Sequence, residues 1–575
     1  MKDFLFGKEF RVFSFIFLIM LFVAFINGTP FLFGDSYGYY HVAKTVATQA
    51  TYPTAIQPEY YEYSGHAVNI LGSNYITPYS SGQSILLFPF IAVSSLFSNG
   101  TTFNDYYKAF NGHSLYDGIA VLSAAVIYGF LGIVFTYLFL KELGFSKKLS
   151  FFSSIAVFIS LHLVSYTFEQ PGYSHVYEFF AYSAFLYFFT KFFIAKHAKY
   201  LYFASIFAGL LVLIRIVDVA LILPPFLFIL YKIRSKKVVL TSFLILVFFA
   251  SILLGYNYLS YGNPFTLGYT INGSGGFNTN LNIIPLLFSN TRGLFIWSPL
   301  ILLSILGLVL YSKKSKSSLV FFIFPVGLLL FIYNFWGNWW GGVSAGQRFL
   351  IVLAPLFALG FAYLYTKFRF KFVLKLVAVV LILFSLSLSI LYRLTPVLKV
   401  NSIYRNDLSS ITTPSVEDYR VTDIFKYHYN LFNSSESYSI YLSKLKEGFN
   451  GGRSLVLLWL GQTDPLVRVE NLSPLKFKVH FIPNNINADI KINTFISFKY
   501  LGNTQTYLIP NKNYKGYSTA TISCTTDLVC NSNELEMIQS NKNNSDIRYS
   551  AIQYNLDAAV YGENKKINFI NLKLK

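Results

Sequence analysis

The sequence predicts a polytopic α-helical membrane protein of about eleven spanning helices, followed at its C-terminal end by a β-sandwich outside the membrane. Three observations predict it. Hydrophobic residues make up 54% of the chain and charged residues only 13%, with a positive mean hydropathy, far from the balance of a soluble domain. Apolar runs suited to a hydrocarbon core about 30 Å thick recur from residue 10 to residue 393. Beyond residue 400 they give way to polar, Asn-rich chain in which apolar and polar residues alternate.

The first run covers 10–28, and later ones lie at 116–140, 149–167, 175–195, 200–214, 217–231, 238–258, 294–311, 318–335, 348–366 and 372–393. Residues 200–231 read as two short helices, because "LIRIVDV" would otherwise set Arg215 and Asp218 in lipid. The ordinary reading of that pair is a salt bridge three residues apart on one helix. The first run reads as retained, since "AFING" is a poor cleavage site. The segment "SILLFPFIAVSSLF" at 84–97 is short and broken by proline, which suits a re-entrant or interfacial helix.

Orientation follows from the basic clusters "MKDFLFGKEFR", "KELGFSKK", "KFFIAKHAK", "KIRSKK", "KKSKS" and "KFRFKFVLK", which fall on one side if the runs alternate. That side is the cytoplasm. The net charge of +20 is therefore mainly topology, with membrane lipids as the partner and no nucleic acid, because no folded domain gathers the charge. Residues 1–394 form a transmembrane domain whose first extracytoplasmic loop is 29–115, and residues 395–575 form an extracytoplasmic β-rich domain. Its strands are read in "LKFKVHFIP", "ADIKINTFISFKYL", "SDIRYSAIQYNLDAAVYG" and "INFINLKLK". Both cysteines, Cys524 and Cys530, lie in it, and a disulfide suits that oxidising compartment, with free thiols the other reading.

The stretch "PFLFGDSYGYYHVAKTVAT", residues 30–48, places Asp35 directly after the first span and at the head of an amphipathic segment. Asp35 reads either as a helix cap or as a general base at the membrane surface. Asp105 and Asp117 read as loop residues. Further pieces follow in order: "YITPYSSGQSILLFPF", "YSHVYEFFAYSAFLYF", "GLLVLIRIVDVALILP", "YGNPFTLGY", "RGLFIWSPLILLSILGL" and "NWWGGVSAGQRFLIVLAP". With the acidic first loop, their order over some 390 residues resembles the GT-C superfamily of membrane glycosyltransferases. The nearer likeness is to the branch of dolichyl-phosphate-mannose protein mannosyltransferases and lipid A aminoarabinose transferases.

The resemblance implies transfer of a sugar from a polyprenyl-phosphate donor to a glycan, lipid or protein acceptor on the outer face, with inversion, and with Asp35 at the family's acidic position as the base. Ser36 stands where the family often has a second acid, so the metal requirement and any other cofactor are left open. Glu169 is the second catalytic candidate, ahead of Glu178, on the turn "FEQPGYSHVYE" that also holds His175. Arg348, then Arg292 and Arg215, are candidates for the departing phosphate. The family's donor-loop Lys has no counterpart in "YITPYSSGQ", where Tyr75, Tyr79 and Gln83 would substitute. Tyr39, Tyr75, Tyr79, His175, Trp339 and Trp340 are candidates for substrate contact, the tryptophans by stacking on sugar faces. Asn338 and Gly341 flank the tryptophan pair, which departs from the Trp-Trp-Asp signature of oligosaccharyltransferases. The alternative is a non-catalytic transporter or flippase of lipid-linked glycans with an external binding domain, which should carry ionisable residues along the middle of its spans.

Overall fold

The computed structural model describes residues 8–30, 32, 34–49, 69–71, 74–98, 113–233, 235–269, 276–277, 279, 281–342, 344–394, 420–422 and 424–425, and nine strands between 466 and 571. Two compact units divide the chain: Met1–Thr395 with Val416–Leu445, and Pro396–Ser415 with Lys446–Lys575.

Among the described residues of the first unit, 7 helices are long and apolar enough to cross a membrane: Glu9–Ile26, Leu115–Glu142, His175–Ala195, Lys236–Tyr261, Lys316–Asn334, Arg348–Lys367 and Lys371–Tyr392. Shorter apolar helices cover Gly82–Ser95, Ala198–Ile214, Ile216–Ile229 and Leu300–Ser312. The chain is a multi-pass integral membrane protein.

Several expected spans are shorter than their apolar runs, and each break has a local cause. The run 149–167 divides into Lys147–Ser160 and Leu163–Phe168, because His162 takes a left-handed backbone (φ 59°). Its ring is held there by Ser389 Oγ at 2.6 Å and the Trp297 carbonyl at 3.1 Å. The run 294–311 breaks ahead of Pro299 into Leu294–Trp297 and Leu300–Ser312. Arg215 is extended (φ −146°, ψ 119°), so Ala198–Ile214 ends there and the chain resumes as Val219–Lys232 after one 3₁₀ turn.

Helix His175–Ala195 sits at the centre, packed on Leu115–Glu142 and on Ala198–Ile214. Small residues set how closely the helices approach, as expected where lipid is as apolar as leucine. Gly132 leaves room for the ring of Phe179, and Gly307 and Gly360 face each other where Leu300–Ser312 crosses Ala354–Lys367. The outer helices Lys8–Asn27, Lys236–Tyr261 and Lys371–Leu394 expose apolar faces, including Phe15, Leu18, Phe248 and Val380.

The long helix Leu115–Glu142 has a different chemistry at each end. At one end Lys141 and Lys147 pair with Glu9, and Lys191 donates to Glu142 at 2.7 Å. At the other, Asp117 is buried and accepts from Tyr40 Oη (2.8 Å), Ser94 Oγ (2.5 Å) and Lys44 Nζ (2.9 Å). It is thus no plain loop residue; it ties helix Asp35–Gln49 and helix Gly82–Ser95 to the first turn of Leu115–Glu142.

The second unit contains two antiparallel sheets. Strands β1 (Leu466–Ser473), β2 (Lys476–Ile482), β5 (Ser518–Cys524) and β6 (Cys530–Asn531) form one, in that order. The other has five strands in the order β8 (Ile552–Val560), β9 (Glu563–Asn571), β3 (Ile490–Tyr500), β4 (Asn503–Tyr514) and β7 (Ile538–Gln539). Cys524 and Cys530 stand opposite each other in the β5–β6 register.

Candidate active site

Asp35 is the first residue of helix Asp35–Gln49, which begins eight residues after the first span ends at Asn27. A left-handed Gly34 (φ 53°) turns the chain, and the Tyr37 amide bonds back to the Gly34 carbonyl at 3.1 Å. Both carboxylate oxygens are engaged. Oδ1 accepts from Tyr79 Oη at 2.7 Å, and Oδ2 meets Arg348 Nη1 at 3.2 Å. The two charged side chains remain 20% and 16% exposed, so the pair borders solvent.

Tyr79 is locked from several sides. It stacks on Tyr39 at 4.9 Å, meets Tyr269 edge-on at 5.6 Å, and lies against Gly38, where a Cβ would come within 2.6 Å of its ring. Burial pushes the Tyr79 phenol well above its ordinary range, and the Asp35 charge adds to this, so it stays a donor. The Tyr39 phenol is raised chiefly by burial too, and that of Tyr269 to about 12, against the pull of Arg215. These tyrosines therefore keep their protons at any physiological pH. Tyr269 continues edge-on to Trp336 at 5.8 Å, and Trp336 to Phe277 at 5.5 Å, giving an aromatic arc beside the carboxylate.

A second acid–base pair lies deeper. Glu178, fully buried in the first turn of His175–Ala195, accepts from Ser174 Oγ and lies 3.5 Å from Arg215 Nη1 and 3.6 Å from His175 Nδ1. Arg215 reaches Glu178 because its helix ends there; its ion pair is with Glu178 rather than Asp218, the partner expected from sequence spacing. The guanidinium of Arg215 lies 5.2 Å from the Phe349 ring centre, and that of Arg348 lies 5.3 Å from the same ring. Arg348 also lies over Tyr173 at 5.5 Å, and Phe349 is stacked on Tyr333 at 4.9 Å. The charges of Asp35, Glu178, Arg215 and Arg348 all act on Tyr269, so the two pairs belong to one cluster.

Of the residues singled out from sequence, Asp35, Tyr39, Tyr79, His175, Arg215 and Arg348 come together in this cluster. Arg292 and Glu169 both act on Tyr392: Arg292 is buried, donates to the Thr291 carbonyl at 2.7 Å and lies over Trp297 and Tyr392, and the Glu169 charge reaches the same phenol. Trp339 and Trp340 pack edge-to-face on each other, and the Trp339 carbonyl accepts from Gln347 at 3.1 Å. Gln83 donates to the Gly172 carbonyl at 2.6 Å. The side chains of Tyr75, Cys524 and Cys530 lie outside the described residues. Among the described residues, no three His, Cys, Asp or Glu side chains gather as metal ligands; Ser36, which follows Asp35, backs onto Gly172.

Glu178, Tyr269, Trp336 and Phe349 carry more of the cluster than sequence reasoning assigned them. Glu178 had a signal, an acid in the first turn of an apolar run. Tyr269 lies within "YGNPFTLGY", one of the stretches that carry the resemblance.

Fold and site together define a multi-pass membrane protein with a carboxylate–guanidinium cluster at one end of its helices. No protein-family model and no curated protein matches the sequence. Among solved structures the chain is similar to ArnT from Cupriavidus metallidurans in the apo state, with TM-score 0.41 and 9% identity, covering 78% of this chain and 72% of that one. It is similar also to the Archaeoglobus fulgidus oligosaccharyltransferase in the apo form, with TM-score 0.35 and 14% identity over 66% of this chain and 55% of that one. The same oligosaccharyltransferase tethered to an acceptor peptide containing the NVT sequon gives TM-score 0.36 and 13% identity, over 70% and 59%.

Proposed function

We propose that this chain is a glycosyltransferase that moves a sugar from a polyprenyl-phosphate donor to an acceptor hydroxyl at the extracytoplasmic membrane surface. The observation that carries the reading is Asp35, a carboxylate eight residues past the end of the first helix, held between a tyrosine hydroxyl and an arginine. Asp35 takes the proton from the acceptor hydroxyl as its oxygen attacks the anomeric carbon. The bond from that carbon to the phosphate oxygen breaks, and the polyprenyl phosphate leaves with the electron pair. Arg348, with Arg215 near the same Phe349 ring, meets the charge that develops on the phosphate. Tyr269 and Trp336 offer ring surface to the sugar. Eleven apolar runs cross the membrane, Gly82–Ser95 is re-entrant, and the two sheets of the second unit pack as an external sandwich.

A transporter reading draws its support from Asp218, which is buried at the break between two short helices with neither carboxylate oxygen hydrogen-bonded among the described residues. The enzyme reading is preferred because Asp35 stands beside phosphate-binding chemistry at a surface two substrates can both reach. Membranes carrying the chain should move labelled sugar from lipid-linked donor into an acceptor fraction. Export of intact lipid-linked glycan without sugar transfer would select the transporter instead.

A further inference from the structure

We propose that Arg348 is an exchangeable partner: it occupies Asp35 in the resting protein and passes to the donor's phosphate anion on binding, so that arrival of the donor is what frees the base. The inference rests on the reading of Asp35 as base and Arg348 as phosphate ligand, and adds an order to them. It begins with an occupied carboxylate. Oδ2 of Asp35 is paired with Arg348 and Oδ1 with Tyr79, so an acceptor hydroxyl would have to share either oxygen with a donor already there. An unshared oxygen requires one of the two bonds to open, and the surroundings differ sharply on the two sides. Tyr79 is wedged between Tyr39, Tyr269 and Gly38 and cannot leave.

Arg348 has unspent capacity and room. Its Nε is buried without a hydrogen bond among the described residues, and so is Arg215 Nη1, although that atom lies 3.5 Å from Glu178. Both guanidiniums approach the Phe349 ring, at 5.3 and 5.2 Å. An anion near that ring could draw on both, and phosphate oxygens match the guanidinium fork as well as a carboxylate does. The backbone beside Arg348 is two consecutive left-handed glycines, Gly341 (φ 71°) and Gly342 (φ 69°). A Cβ on Gly341 would come within 2.9 Å of Arg348 Cγ and Nε, so the space alongside this side chain exists only with glycine there. Once Arg348 turns to the phosphate, Tyr79 keeps Asp35 in place with Oδ2 open to the acceptor.

The test is equilibrium binding of farnesyl phosphate to the purified full-length chain in nanodiscs, with farnesol and inorganic phosphate as separate arms. Asp35→Asn removes the competitor for Arg348 and should tighten farnesyl phosphate about fivefold. Arg348→Ala should weaken it about tenfold or more, and in that background Asp35→Asn should give no gain. Arg348→Lys, also checked by gel filtration, serves if the alanine variant does not fold. Unchanged or weaker binding by Asp35→Asn, with Arg348→Ala still impaired, would overturn the exchange and leave the phosphate reading standing. An Arg348→Ala protein that binds as well as wild type would overturn both. A gain confined to inorganic phosphate would overturn the lipid-donor assignment, and a matching gain for farnesol would show that phosphate is not the group being read.

Discussion

At the scale of single residues, the site depends on what holds Asp35. Tyr79→Phe keeps the ring packed on Tyr39 and Tyr269 but removes the 2.7 Å bond to Oδ1. The expected result is normal expression and a transfer rate lowered about tenfold, with little change in donor affinity, read as kcat against KM. Equal losses in affinity and rate would show Tyr79 to be a substrate ligand, the role the donor-loop comparison implied. Gly341→Ala forces a side chain onto Arg348 and into a left-handed backbone, so it should impair donor binding more than stability. Sequence placed Asp35 and Arg348 correctly at the ends of apolar runs. It could not show that they touch across 313 residues. The choice of Asp218 as partner to Arg215 followed sequence spacing. The broken helix at Arg215 redirects that side chain to Glu178.

At the scale of elements, helix Asp35–Gln49 is placed by two buried polar devices, each with a measurable consequence. The first is Asp117, whose partners Tyr40 and Lys44 lie on that helix. Asp117→Ala leaves Lys44 without its buried partner and should cost about 3 kcal/mol, measured as a fall in thermal stability in detergent. An unchanged melting point would mean the three helices are held by apolar packing alone. The second is His41, buried and held down to about 3 by desolvation, with His113 adding to it. A histidine titrating near 6.5 when unfolded and near 3 when folded binds its proton more tightly in the unfolded chain. Its contribution to stability is therefore whole above pH 6.5 and falls as pH drops toward 3, by up to about 1.4 kcal/mol per unit. His41→Gln should flatten the loss of stability between pH 7 and pH 5; an unaltered slope would assign it to other groups. Hydrophobic periodicity found these helices well, because lipid demands long apolar runs. The break at His162 was harder to read, since the partners that hold its ring, Ser389 and the Trp297 carbonyl, lie far along the chain. Only "LIRIVDV" announced its break through its charges.

For the whole molecule, the account requires the first loop and the C-terminal unit to face the same side of the membrane. Tyr60→Cys and His480→Cys, each made in a chain with Cys524 and Cys530 replaced by serine, should be labelled equally by an impermeant maleimide from outside intact cells. Opposite labelling would contradict the topology. In the C-terminal unit, directly opposed residues of an antiparallel pair lie within the Cα spacing a disulfide needs, about 4.5–5.5 Å. Cys524 and Cys530 should therefore be found oxidised in the native protein. Composition and alternation made the division into helical and β parts legible. The return of Val421 and Ile424 to pack with Trp297 and Leu388 was not, because no local pattern encodes those contacts.

The most direct test of the central claim, that Asp35 is the general base, is the rate of sugar transfer from lipid-linked donor in membranes bearing Asp35→Asn. Asparagine starts a helix as well as aspartate and can still accept from Tyr79, so the fold should be kept. What it cannot do is take the acceptor's proton, and the account predicts a loss of about 10²-fold or more in rate, with the protein present at wild-type levels. Transfer at close to the wild-type rate would contradict it.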